Sequence, residues 1–100
     1  MKEYSANQVA EMQNDESIVV LDVRTREERS QQRIENSLHI PLNELAERMK
    51  TLDKYRQKEI ICYCRSGNRS LLAARMLQKG GFNSANMTGG IIEWNYLNLK

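Results

Sequence analysis

With 100 residues, 40% of them hydrophobic and 28% charged, the sequence has the make-up of one ordinary globular domain, read as residues 1–100. The net charge of +2 is too mild to argue for nucleic acid, and no basic cluster is interleaved with aromatics. No apolar run approaches the ~20 residues of a bilayer span, and Met1-Lys2-Glu3-Tyr4 has no apolar core behind it. No membrane contact and no signal peptide are therefore expected, and the chain is read as cytoplasmic.

A first helix is expected from Ser5. Ser5 and Gln8 have capping-box spacing, and Tyr4 and Val9 occupy the staple positions. It should run to about Asn14 and turn Val9 and Met12 inward. Ile18-Val19-Val20-Leu21-Asp22-Val23 is a nearly unbroken apolar run, as in a strand covered on both faces. Asp22 interrupts that run near its carboxyl end, where open α/β sheets carry functional groups.

Arg24 to Arg33 is strongly charged and reads as a solvated face. Within it Thr25 and Glu28 again have capping-box spacing, which predicts a short helix. Ser37 to Ile40 is at most a small strand, ended by Pro41. Asn43 is the expected cap of the next helix, with Leu45, Met49 and Leu52 as its buried stripe.

The most informative stretch follows. Glu59 to Tyr63 is a short run of apolar, β-branched and aromatic residues, a buried strand. Cys64-Arg65-Ser66-Gly67-Asn68-Arg69 is polar, a loop. From Ser70 a helix is expected, with Leu71, Ala74 and Leu77 on one face and Gly80-Gly81 at its end. Cys64 thus lies where a strand ends and a helix begins. Unpaired N–H groups there favour an anion, and the guanidinium groups of Arg65 and Arg69 add positive charge. Each of these features favours thiolate, the nucleophilic form. Gly67 suits a turn with positive φ.

Cys62 reads as a packing residue. A bridge between Cys62 and Cys64 would strain an extended backbone, and with His39 the only histidine no tetrahedral metal set can be assembled. Beyond the loop, Phe82 packs back, Ala85-Asn86-Met87 is a weak strand, and Ile91 to Leu97 is a last helix with Trp94 inward. Strands alternating with helices imply a mostly parallel sheet with helices on both faces.

Several of these stretches, in order, resemble the single-domain rhodanese-like sulfurtransferases: Leu21-Asp22-Val23-Arg24 with Glu27-Glu28, Ile40-Pro41-Leu42, the loop Tyr63 to Ser70, and Gly89-Gly90-Ile91 followed by Trp94. The resemblance covers nearly the whole chain and is most specific in the cysteine loop. It implies a rhodanese-like α/β fold with Cys64 at the base of a cradle. It also implies a reaction: Cys64 thiolate takes the outer sulfur of a small anionic donor such as thiosulfate, sulfite leaves, and a persulfide remains. Cyanide in the assay, a thiol, or a sulfur-accepting protein then takes that sulfur. Cys64 is the expected catalytic residue, Arg65, Ser66, Gly67, Asn68 and Arg69 the expected donor-binding residues, and Asp22, Arg24 and Ser70 the candidates for a supporting role. No metal or organic cofactor is implied. Where many relatives have Gly-His-Ile, this chain has Gln32-Arg33-Ile34, and no role is carried onto Arg33.

Two rival readings differ from this one. Cysteine-dependent phosphatases and arsenate reductases use a loop one residue longer than the four residues between Cys64 and Arg69. Non-catalytic rhodanese-like interaction modules usually lack the cysteine, which is present here.

Overall fold

The structure is a computed structural model that describes residues 1–100. Its centre is the predicted buried strand. Five parallel strands lie in the order β1-β5-β4-β2-β3: β1 is Lys2–Tyr4, β2 Ile18–Asp22, β3 Leu38–His39, β4 Glu59–Tyr63 and β5 Asn83–Met87. The two runs read as buried, β2 and β4, are neighbours inside the sheet, with Leu21 opposite Cys62 and Asp22 opposite Tyr63. Side chains alternate between the faces of β4, and so divide the core in two. Ile60, Cys62 and Cys64 face one cluster, with Leu45, Leu52, Ala73, Ala74, Leu77 and Phe82. Ile61 and Tyr63 face the other, with Ala6, Val9, Met87, Ile91 and Trp94. Helices therefore cover both faces: α3 (Leu45–Arg48) and α4 (Asn68–Lys79) on one, α1 (Ala6–Met12) and α5 (Gly90–Tyr96) on the other.

Both predicted capping boxes form. Ser5 accepts from the N–H of Gln8 at the start of α1, and Thr25 accepts from that of Glu28 at the start of α2, Arg26–Gln31. Three expectations are corrected. Asn43 caps no helix: a 3-10 turn, Leu42–Glu44, begins directly after Pro41 with no side-chain cap. The chain then passes through α3 into a second 3-10 segment, Met49–Tyr55, and still buries Leu45 and Leu52. Helix α4 starts at Asn68 rather than Ser70, because Gly67 at φ +110° turns the chain two residues earlier. Strand β1 has no signal in its three residues and exists through its pairing with β5, Lys2 opposite Ala85. No helix is long and apolar enough to cross a membrane.

Candidate active site

Cys64 immediately follows β4 and is 1% exposed. Its Sγ accepts the Gly67 N–H at 3.1 Å and lies 3.3 Å from the Ser70 hydroxyl. Burial pushes the thiol pKa up. The Ser70 hydroxyl and the N–H groups of Ser70, Gly67 and Ser66 outweigh it and hold the thiol below its ordinary value. The sequence assigned this effect partly to Arg65 and Arg69. Hydrogen bonds from the loop and from Ser70 dominate instead, although Arg69 is near enough for a Cys64 charge to raise its own pKa. Cys62, on the same face one pleat earlier, is fully buried; burial and the Cys64 charge push its thiol far up.

The loop is held from behind. The N–H of Ile91 reaches the Cys64 carbonyl at 2.9 Å, and that of Ile92 reaches the Arg65 carbonyl at 3.2 Å. Helix α5 thereby caps the outer carbonyls of the cysteine loop with its own unpaired N–H groups. Close approach requires Gly90, where a Cβ would fall 2.2 Å from the Arg65 oxygen. A second tie comes from β5. Asn86 is 2% exposed; its Nδ2 donates to the Gly67 carbonyl at 3.2 Å, and its Oδ1 lies 2.5 Å from Ser70 Oγ.

The other assigned residues are distributed unequally. Ser66 and Asn68 are exposed at the loop, and Asn68 opens α4. Arg65 is exposed and takes part in none of the ion pairs. Arg69 forms a two-pronged pair with Glu28, Nη1 to Oε1 at 2.7 Å and Nη2 to Oε2 at 2.8 Å. The guanidinium holds the Glu28 carboxyl down to about 2.

Asp22 and Arg24 lie beneath the other face. Asp22 is fully buried and accepts from Arg24 Nε at 3.0 Å, Arg24 Nη2 at 2.8 Å, Arg29 Nη1 at 3.1 Å and the Tyr63 hydroxyl at 3.1 Å. Burial alone would raise its pKa, and Arg24 and Arg29 bring it below the ordinary carboxylate value. The Arg24–Arg33 run is therefore not wholly a solvated face, since Arg24 and Arg29 both turn inward onto Asp22. Arg33 is exposed. The backbone N–H of Ile34 donates to the Tyr63 hydroxyl at 3.1 Å and the Gln32 carbonyl accepts from Arg24 Nη2 at 2.7 Å, so the departing Gln32-Arg33-Ile34 segment is anchored at both ends.

Asn86, Glu28 and Arg29 were not singled out as partners of the loop or of Asp22. The available signal for Asn86 was a polar residue between Ala85 and Met87 in an otherwise buried strand. Nothing local marked Glu28 as the partner of an arginine 41 positions away.

Fold and loop together define an α/β protein in which one cysteine sulfur, at the end of a central parallel strand, is ringed by backbone N–H groups. The chain belongs to the rhodanese-like family, since residues 5–96 match the model for the Rhodanese-like domain. It is 37% identical over 95 residues to YtwF of Bacillus subtilis, which carries a sulfurtransferase name; the match covers 94% of this chain and 90% of YtwF. It is 40% identical over 82 residues to YrkF of the same organism, which carries a sulfur-carrier name, across 81% of this chain and 43% of YrkF. A rhodanese-related protein of Thermoplasma volcanium superposes with a TM-score of 0.91 at 33% identity, covering 100% of this chain and 96% of its own. Relatives with sulfurtransferase names support a sulfurtransferase role for this chain.

Proposed function

We propose that this chain, acting as one rhodanese-like domain, moves a sulfane sulfur from thiosulfate or a persulfide donor to a thiol, or to cyanide in an assay, through a persulfide on Cys64. The observation that carries the proposal is the environment of Cys64 Sγ, with an N–H at 3.1 Å, a hydroxyl at 3.3 Å and a lowered pKa. A thiolate stabilised by fixed donors is a competent nucleophile. It attacks the outer sulfur of thiosulfate, the S–S bond breaks, and sulfite departs with the bonding pair. The same donors then hold the terminal persulfide sulfur. Ser66, Gly67 and Asn68 provide the backbone of the cradle, Arg65 provides unpaired positive charge, and Ser70 provides a side-chain donor. Asp22 and Arg24 act at a distance, by fixing Tyr63 and the end of β2 beside the loop.

The acceptor class is a thiol, borne by a small molecule or by a sulfur-accepting protein; the likeness to YrkF favours the protein. Two free cysteines suit a reducing compartment such as the cytoplasm.

The test is intact mass after thiosulfate or a small persulfide. One added sulfur, removed by reductant and absent in Cys64→Ser, is the expected result. Cys64-dependent hydrolysis of aryl phosphates with no added sulfur would overturn the proposal in favour of phosphatase chemistry.

A further inference from the structure

The two loop guanidinium groups are not equally available to an anionic donor. Both Nη atoms of Arg69 are taken by Glu28 at 2.7 and 2.8 Å. The Glu28 carboxylate is held in turn by the Thr25 N–H at 3.1 Å. The pair stands at the rim, its side chains 36% and 27% exposed. At the first residue of α2, Arg26 is likewise taken by Glu44, which also accepts from Arg48 at 3.0 Å. Beside Arg69 lies a cleft of about 350 Å³, lined by Val23, Thr25, Pro41, Leu42, Asn43 and Arg69 itself. Its one charged side chain is therefore the one that Glu28 neutralises.

A dianion entering this cleft, whose Val23 and Leu42 belong to the same packed cluster as Cys64, meets an apolar wall and a guanidinium whose fork is already filled. To gain those N–H donors it must displace a carboxylate from a charge-assisted, two-pronged pair. A weakly charged organic persulfide has no such pair to displace, and its carbon portion can lie against Val23, Pro41 and Leu42. We propose that Glu28 is a specificity-determining residue: it withholds Arg69 from thiosulfate, so the site draws its sulfur preferentially from the persulfide of a weakly charged organic thiol seated in this cleft. The inference rests on the sulfurtransferase reading above and names the donor class for that same site. In the step, Cys64 thiolate bonds the outer sulfur of R–S–S–H and the S–S bond between the inner and outer sulfurs breaks. The leaving thiolate takes the proton that the outer sulfur carried, giving R–SH and the Cys64 persulfide anion. No oxidant or reductant is consumed.

Single-turnover loading of Cys64, followed by intact mass, tests this with two probes, thiosulfate and 2-hydroxyethyl persulfide. The unaltered protein should load faster from the persulfide. Glu28→Gln keeps an amide oxygen for the Thr25 N–H, and so keeps the cap of α2, while removing the charge. It should speed thiosulfate loading roughly tenfold to a hundredfold, the worth of a freed charge-assisted contact, and leave persulfide loading near its original rate. Arg69→Gln breaks the same tether without freeing a cation, and its thiosulfate loading should not rise. Thiosulfate loading unchanged in Glu28→Gln, a rise of both donors together, or an equal rise in Arg69→Gln would each overturn the assignment. Loading from neither donor in the unaltered protein would overturn the sulfurtransferase reading itself, and this inference with it.

Discussion

The hydroxyl of Ser70 lies 2.5 Å from the Asn86 amide oxygen, and the Asn86 nitrogen is committed to the Gly67 carbonyl at 3.2 Å. A carbonyl only accepts, so the orientation of the Asn86 amide is set, and its oxygen must face Ser70. Ser70 has one proton and two acceptors, Asn86 Oδ1 and Cys64 Sγ. With Cys64 as thiol, the S–H can point to Ser70 and the Ser70 proton to Asn86. With Cys64 as thiolate, the proton serves the sulfur. Activation of the cysteine thus reorients one hydroxyl.

Ser70→Ala removes that donor and leaves the N–H groups in place. The apparent pKa of Cys64 should move up, and persulfide loading at neutral pH should fall about tenfold, the worth of one hydrogen bond to a charged group. The pH dependence of Cys64 alkylation measures it. In the unaltered protein the rate should rise through a pKa below that of an ordinary thiol, because the folded state favours the thiolate. An unchanged profile in Ser70→Ala would show that the backbone donors suffice.

The two cysteines should separate cleanly. Cys64→Ser should fold and accept no sulfur. Cys62→Ala removes a fully buried sulfur from the cluster with Ile60 and Leu77. It should lower stability by about 1 kcal/mol and keep most of the loading. Denaturant melts and intact mass on both variants check this, and equal loss of loading in two folded variants would contradict it.

Gly90→Ala should damage the loop without touching it in sequence. The new Cβ would meet the Arg65 carbonyl at 2.2 Å, at a residue with φ +59°. A destabilisation of roughly 1–3 kcal/mol is expected from overpacking, with slower alkylation of Cys64 because its carbonyl would lose the Ile91 N–H. Normal alkylation in a destabilised variant would show that α5 supports the fold and not the loop.

Acid should uncouple α2 from α4. The Glu28 carboxyl is held at about 2 against an ordinary 4.5. A folded-state pKa below the unfolded one adds stability above the unfolded value, and that stability is lost as pH falls through the folded value. The Tm difference between the unaltered protein and Glu28→Gln should therefore be full at neutral pH. It should shrink as pH falls from about 4.5 to about 2. A difference that persists below that window would mean the pair contributes through packing rather than charge.

What the sequence revealed and what it hid divide along one physical line. Capping boxes at Ser5 and Thr25, the buried runs of β2 and β4 and the strand-loop-helix around Cys64 are local patterns, set by neighbours within a few positions. The hidden features are set by tertiary pairing or by competing turn geometry. Strand β1 has no pattern of its own and is made by β5. Arg29 sits in a run of charge, yet reaches the buried Asp22. Asn43 has the right residue type for a cap, but Pro41 had already directed the chain into a 3-10 turn. For the candidate site, Cys64 and its loop were legible from residue type and order. The fate of Arg69 depended on α2 arriving beside α4, which no local pattern encodes.

The clamp that α5 places on the Cys64 and Arg65 carbonyls has a consequence for biosynthesis. A polypeptide growing from its amino end makes Cys64 well before Ile91 and Ile92, the residues whose N–H groups close the back of the loop. The partner strand of β1 and the Asn86 amide also arrive late. During translation the cysteine loop therefore passes through an interval in which its back is not yet closed. The donors to the sulfur, from Ser66 to Ser70, follow it within six residues, so what waits for α5 is the support of the loop and not the hydrogen bonds that favour thiolate.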